Sequence, residues 1–137
     1  MTRIYRPLFL ARLFALALAA SLAPAAHSTP RWESVGSNDL GYYYIDTTSI
    51  TRDGERRGFN SLLDYRRAQT SASGKTYQSV ETQFQVNCRM KMARIVHMTY
   101  YSGQMLKGNV AERQGMLQDW AEVDASSPVH RLLRYAC

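Results

Sequence analysis

The stretch Thr76-Tyr77-Gln78-Ser79-Val80-Glu81-Thr82-Gln83-Phe84-Gln85-Val86-Asn87-Cys88 decides the fold. Val80, Thr82, Phe84, Val86 and Cys88 alternate with Glu81, Gln83, Gln85 and Asn87. Successive side chains of a strand point to opposite faces, so this period of two predicts a long strand with one wet face and one packed face. It also aims Cys88 toward the packed side.

Working outward, a tight turn at residues 89–91 leads into Met92 to Tyr101, where Arg94, Val96, Met98 and Tyr100 alternate with Ala93, Ile95, His97 and Thr99. Two long adjacent runs of this kind pair most simply as antiparallel neighbours. Ser102-Gly103 stops the second run, residues 104–118 read as an irregular connection, and Trp120 to Val123 reads as a last short strand. On the amino-terminal side, Ala68 to Lys75 is a polar loop and Phe59 to Arg67 a strand. A hairpin centred on Asp53 and Gly54 follows from the tolerance of that pair for positive φ. Gly41 to Asp46, aromatic and β-branched, reads as a strand, as does Trp32 to Val35, with turn residues at 36–39 between them.

The carboxyl terminus changes period. Ser127 suits an N-cap and Pro128 the first helical position, while Val129, Leu132, Leu133 and Ala136 form one apolar stripe. A helix of two to three turns does not persist alone in water, so it must dock on the sheet. The fold class expected is α+β, an antiparallel sheet of five or six strands with one C-terminal helix tied by a disulfide. Pairing of an edge strand with a second copy, giving a homodimer, is compatible with this architecture.

Residues 1–25 read as a secretory signal peptide, with basic residues at Arg3 and Arg6, an apolar run from Leu8 to Leu22, and a small-x-small cleavage site at Ala23-Pro24-Ala25. Arg12 interrupts the run, which falls short of the roughly 20 apolar residues a spanning helix needs. The domain is therefore expected at residues 26–137, in the periplasm or secreted to the cell surface, without a cysteine at the signal junction for a lipid anchor. Removing the signal takes Arg3, Arg6 and Arg12 and no acid, so the net charge falls from +6 to +3. This mild basicity suits anionic surfaces but not the dense patch that nucleic acid requires.

The only two cysteines, Cys88 and Cys137, form an even pair in an oxidising compartment and read as a disulfide. Closing that loop of about 50 residues stabilises by about 4 kcal/mol on the chain-entropy account.

No constellation dictates a reaction. No G-x-S-x-G elbow frames a nucleophile, no catalytic residues are assigned, and no pair of histidines sits at metal-ligand spacing, so no metal and no cofactor are expected. The binding material is expected among exposed tyrosines, which offer large area at little rotamer cost, and the arginines near the hairpin. The candidate surface comprises Tyr42, Tyr44, Arg52, Arg56, Arg57 and Tyr101.

The ordered set Trp32…Val35, Tyr43-Tyr44-Ile45-Asp46, Ser49-Ile50, Arg52-Asp53-Gly54, Leu63-Asp64-Tyr65, Tyr77, Cys88, Tyr101-Ser102-Gly103, Trp120…Val123 and Cys137 resembles the surface-adhesin protein E family of bacteria. The resemblance implies a six-stranded antiparallel sheet, a C-terminal helix held by the same cysteine pair, and an adhesive role toward host matrix and serum proteins. Asn87 departs from the acidic residue that family often places before the cysteine. The expected function is an exported, non-enzymatic binding module for a protein or polysaccharide. Two other roles fit a domain of this size: a periplasmic inhibitor, for example of lysozyme, and a haem or small-ligand carrier using His97 and Tyr100.

Overall fold

The structure, a computed structural model, describes residues 26–115 and 118–137. The expected signal peptide lies outside the described residues. The element order is β1 (Trp32–Ser37), β2 (Gly41–Asp46), β3 (Thr51–Asp53), β4 (Arg56–Thr70), β5 (Thr76–Asn87), β6 (Met92–Tyr101), a 3-10 turn (Gln104–Leu106), β7 (Val110–Gly115), β8 (Ala121–Glu122) and α1 (Pro128–Ala136). Six strands form one antiparallel path, β1-β2-β4-β5-β6-β7, with short β3 added to β4 and short β8 to β6.

The alternation in β5 is the centre of this sheet. Phe84 pairs with Phe59 of β4 on one side and Ile95 of β6 on the other, and Val86 pairs with Ala93. Phe59, Phe84, Val86, Ala93 and Ile45 form the core with Leu132, Leu133 and Ala136 of α1, and Ile95 packs against it. The helix starts where the sequence predicts, with the Ser127 hydroxyl accepting from the His130 amide at 3.2 Å. Cys88, one residue beyond β5, is bonded to Cys137, which follows α1. The helix is thus packed through its apolar stripe and clamped at its end.

The structure corrects four readings. Residues 104–118 are not wholly irregular, because Val110–Gly115 forms β7 against β6. Its sequence, Val-Ala-Glu-Arg-Gln-Gly, has one large apolar residue, so no period marks it; pairing with β6 makes it a strand. The strand expected at Phe59 to Arg67 runs from Arg56 to Thr70. It extends because Arg66 N–H donates to the Leu40 carbonyl and Gln69 and Thr70 resume pairing with Tyr77 and Thr76. The hairpin loop is Gly54-Glu55, one residue later than expected, since Asp53 is still paired with Arg56; Gly54, at φ 56°, takes the positive-φ corner.

The fourth correction changes which side chains share a face. Gln83 pairs with His97 but Phe84 with Ile95, so Val96 is an extra residue and β6 bulges there. Ala93 and Ile95 lie on the helix side, whereas beyond the bulge Met98 and Tyr100 do, opposite Thr82 and Val80. Strict alternation through β6, as read from the sequence, therefore fails after Ile95.

Candidate functional site

The bulge places Tyr101 opposite Ser79, on the face of the sheet that α1 does not cover. Tyr42 pairs with Asp64, and Asp64 with Ser79, so Tyr42-Asp64-Ser79-Tyr101 is one row across four strands of this helix-free face. The next row is Tyr44-Leu62-Glu81-Thr99-Arg113. Three candidate tyrosines from separate sequence segments, Tyr42, Tyr44 and Tyr101, are thus brought to one side. Their neighbours Tyr43 and Tyr100 go to the other, where Tyr100 packs edge-on against Tyr77 and Tyr77 against Tyr65. Burial and the adjoining Tyr77 push the Tyr65 phenol up to about 12.

Each candidate has a distinct setting. Tyr42 is 38% exposed, but Arg66 lies 4.4 Å from its ring centroid and donates to its hydroxyl at 2.8 Å. Tyr44 and Tyr101 are half-buried. Arg52 is exposed on β3. Arg57 is turned back on the hairpin, donating from Nη1 to the carbonyls of Gly54 and Arg56 at 2.7 and 2.8 Å, so its charge organises the turn. Arg56 is exposed and lies 5.9 Å from the centroid of Trp120.

Between Tyr42 and Tyr101 the 3-10 turn sits on the face. Asp64 Oδ1 accepts from the Met105 amide at 2.8 Å; buried Ser79 Oγ accepts from the Leu106 amide at 2.9 Å and donates to the Gly103 carbonyl at 2.6 Å. Met105 and Leu106 have φ of 51° and 59°, a left-handed conformation costly for non-glycine residues and held here by those bonds.

At the centre of the face stands Glu81, unremarkable in the sequence as one wet-face residue among several. Asn60 donates to its Oε1 at 3.3 Å. Burial, reinforced by the Asp46 charge, raises its carboxyl above the ordinary range, partly offset by the Tyr101 hydroxyl, His97 and Asn60. Glu81 and His97 come from different strands, and the register brings them near enough for the His97 charge to act on the carboxyl. Among the described residues no group of three or more His, Cys, Asp or Glu side chains could hold a metal ion, and no helix is long and apolar enough to cross a membrane.

The sequence pattern of the surface-adhesin protein E family matches residues 32–137, from the first strand through the helix and both cysteines. The chain belongs to the surface-adhesin protein E family. Crystal form II of Haemophilus influenzae protein E superposes with a TM-score of 0.64 at 17% identity, over 85% of this chain and 94% of that one. Another Haemophilus influenzae protein E structure gives 0.62 at 17% identity, over 85% and 90%. Protein E from non-typeable Haemophilus influenzae gives 0.58 at 17% identity, over 82% and 79%. At such identities the likeness shows a shared fold. No curated protein sequence matches the chain.

In this adhesin E domain Asn87 uses Oδ1 to accept from the Met90 amide at 2.9 Å, closing the turn between β5 and β6. An amide serves that role as a carboxylate does. Arg94 and Trp120 were not foreseen as a pair; they meet because β6 carries Arg94 to the same corner of the face as the segment preceding β8.

Proposed function

We propose that the domain is an exported, non-enzymatic binding module of adhesin type, contacting a host or envelope macromolecule through its helix-free face. The observation that carries this reading is the convergence of Tyr42, Tyr44 and Tyr101 on that face. Large amphipathic rings spread over a rigid sheet suit a broad protein or polysaccharide partner better than a small substrate. The mature net charge of +3, once residues 1–25 are removed, favours anionic partners.

The test is retention of purified residues 26–137 on a panel of immobilised extracellular-matrix proteins, with lysozyme inhibition measured in parallel. Retention on at least one matrix protein, weakened tenfold or more by Tyr44→Ala combined with Tyr101→Ala, supports the reading. Retention unchanged by that pair sinks the assigned face, and inhibition of lysozyme without retention sinks the adhesin role. Protease treatment of intact cells addresses display: the domain is cleaved at the outer surface and survives in the periplasm.

A further inference from the structure

At the hairpin end of the helix-free face, Gln85 pairs with Arg94 and Gly58, and Asp53 pairs with Arg56. Thr51, Asp53, Arg56, Arg57, Gln85 and Arg94 line a recess of about 280 Å³ together with Gly58. A Cβ at Gly58 would crowd the Thr51 hydroxyl, so glycine keeps the recess open.

Arg94 is fixed from two sides. Its Nε and Nη2 donate to Gln85 Oε1 at 2.8 and 2.6 Å, and its guanidinium lies 4.6 Å from the Trp120 ring centroid. Arg56 lies within 6 Å of the same ring. Among the described residues the only ion pair within 4 Å joins Arg89 and Glu55, at 3.2 Å, so neither guanidinium has a carboxylate partner. An indole face attracts a cation but does not neutralise it, and two like charges gathered on one ring repel. A bound anion resolves that repulsion, and guanidinium forks match the oxygens of a carboxylate or sulfate.

The remaining walls narrow the ligand class. The Thr51 hydroxyl and the Gln85 amide NH2 can pair with ligand hydroxyls, and Asp53 can accept from them while repelling a densely charged anion. No large apolar side chain lines the recess, as a surface that enters lipid would need. We propose that this recess is a subsite for an acidic sugar unit of a polysaccharide, its carboxylate or sulfate on Arg56 and Arg94 and its ring hydroxyls on Asp53 and Thr51. The assignment rests on the binding-module reading and names a ligand class for it.

The experiment uses residues 26–137 carrying Trp32→Phe, so that emission reports Trp120 alone, with affinities from isothermal titration. The probes are a heparin-derived hexasaccharide for sulfate, a hyaluronan-derived hexasaccharide for carboxylate, maltohexaose as the neutral control, inorganic sulfate, and phosphatidylserine vesicles. At least one acidic hexasaccharide should shift Trp120 emission saturably while maltohexaose does not. Arg56→Ala and Arg94→Ala should each weaken binding about tenfold, the loss expected for a charged hydrogen-bonding partner. Arg56→Lys should lose less, and Arg134→Ala, on α1 behind the sheet, should stay within twofold.

Unchanged affinity in Arg56→Ala overturns the subsite even where Arg94→Ala disturbs the fold. So does binding of inorganic sulfate as tight as that of the hexasaccharide, or a preference for vesicles. Retention of a matrix protein with no hexasaccharide binding overturns the subsite alone. Hexasaccharide binding at Trp120 without matrix retention overturns the protein-partner reading alone.

Discussion

Tyr42 and Tyr101 stand in one register row of the sheet, with Asp64 and Ser79 between them. The 3-10 turn over that row is held by Ser79, which is fully buried and bonds both Leu106 and Gly103. Ser79→Ala takes the partner from the part-buried Leu106 amide and Gly103 carbonyl and should cost about 1–3 kcal/mol. Urea unfolding measures the loss, and faster hydrogen exchange at Leu106 places it in the turn. No change in either would show that the turn is held by other means.

The Cys88–Cys137 bond spans a sequence separation of 49 and ends the helix whose Leu132, Leu133 and Ala136 complete the core. Reduction, or Cys137→Ser, should destabilise by about 2–4 kcal/mol. Thermal unfolding with and without reductant checks this, and identical midpoints would refute it.

Gly41 is buried and paired with Tyr65, and a Cβ there would overlap the Asp64 carbonyl oxygen. Replacing glycine by alanine ordinarily stabilises by about 0.4–1 kcal/mol through the unfolded chain. Here the obstacle is backbone, which cannot rotate aside, so Gly41→Ala should instead destabilise by about 1–3 kcal/mol. A higher unfolding midpoint in Gly41→Ala would contradict the close approach of β2 and β4.

The raised carboxyl of Glu81 makes stability depend on pH in a stated direction. Between its ordinary 4.5 and the higher value in the fold, the folded protein holds more protons than the unfolded one. Its contribution is therefore greatest below 4.5 and is lost as pH rises through the folded value. Glu112 and Asp124, both lowered by hydrogen bonds, act in the opposite sense, their contribution falling away in acid. The difference between wild type and Glu81→Gln isolates the Glu81 effect, since Gln keeps an oxygen for Asn60. Relative to wild type, Glu81→Gln should gain stability as pH rises above 4.5; a flat difference across that range would exclude it.

The central strand, the helix with its Ser127 cap, and the cysteine pair were legible because each rests on a local signal. Those signals are period two, an apolar stripe after a capping serine, and an even pair of cysteines. β7 was not legible, because residues 110–115 have no apolar alternation and become a strand only by meeting an edge of β6. Nor was the Val96 bulge, which reverses the faces of half a strand without a residue type that announces it.

The candidate site divides the same way. Tyrosines and hairpin arginines stand out by type, whereas Glu81, His97, Arg94 and Trp120 gain meaning only from their neighbours. Local chemistry of the chain determined that the central strands extend, which segment coils, and that two thiols would join. Tertiary structure alone decided that Tyr42, Tyr44 and Tyr101 share a face and that Arg56 and Arg94 meet on one indole. Side-chain direction follows from local backbone geometry, but register and bulges are settled by which strands pair, and pairing joins residues far apart in sequence.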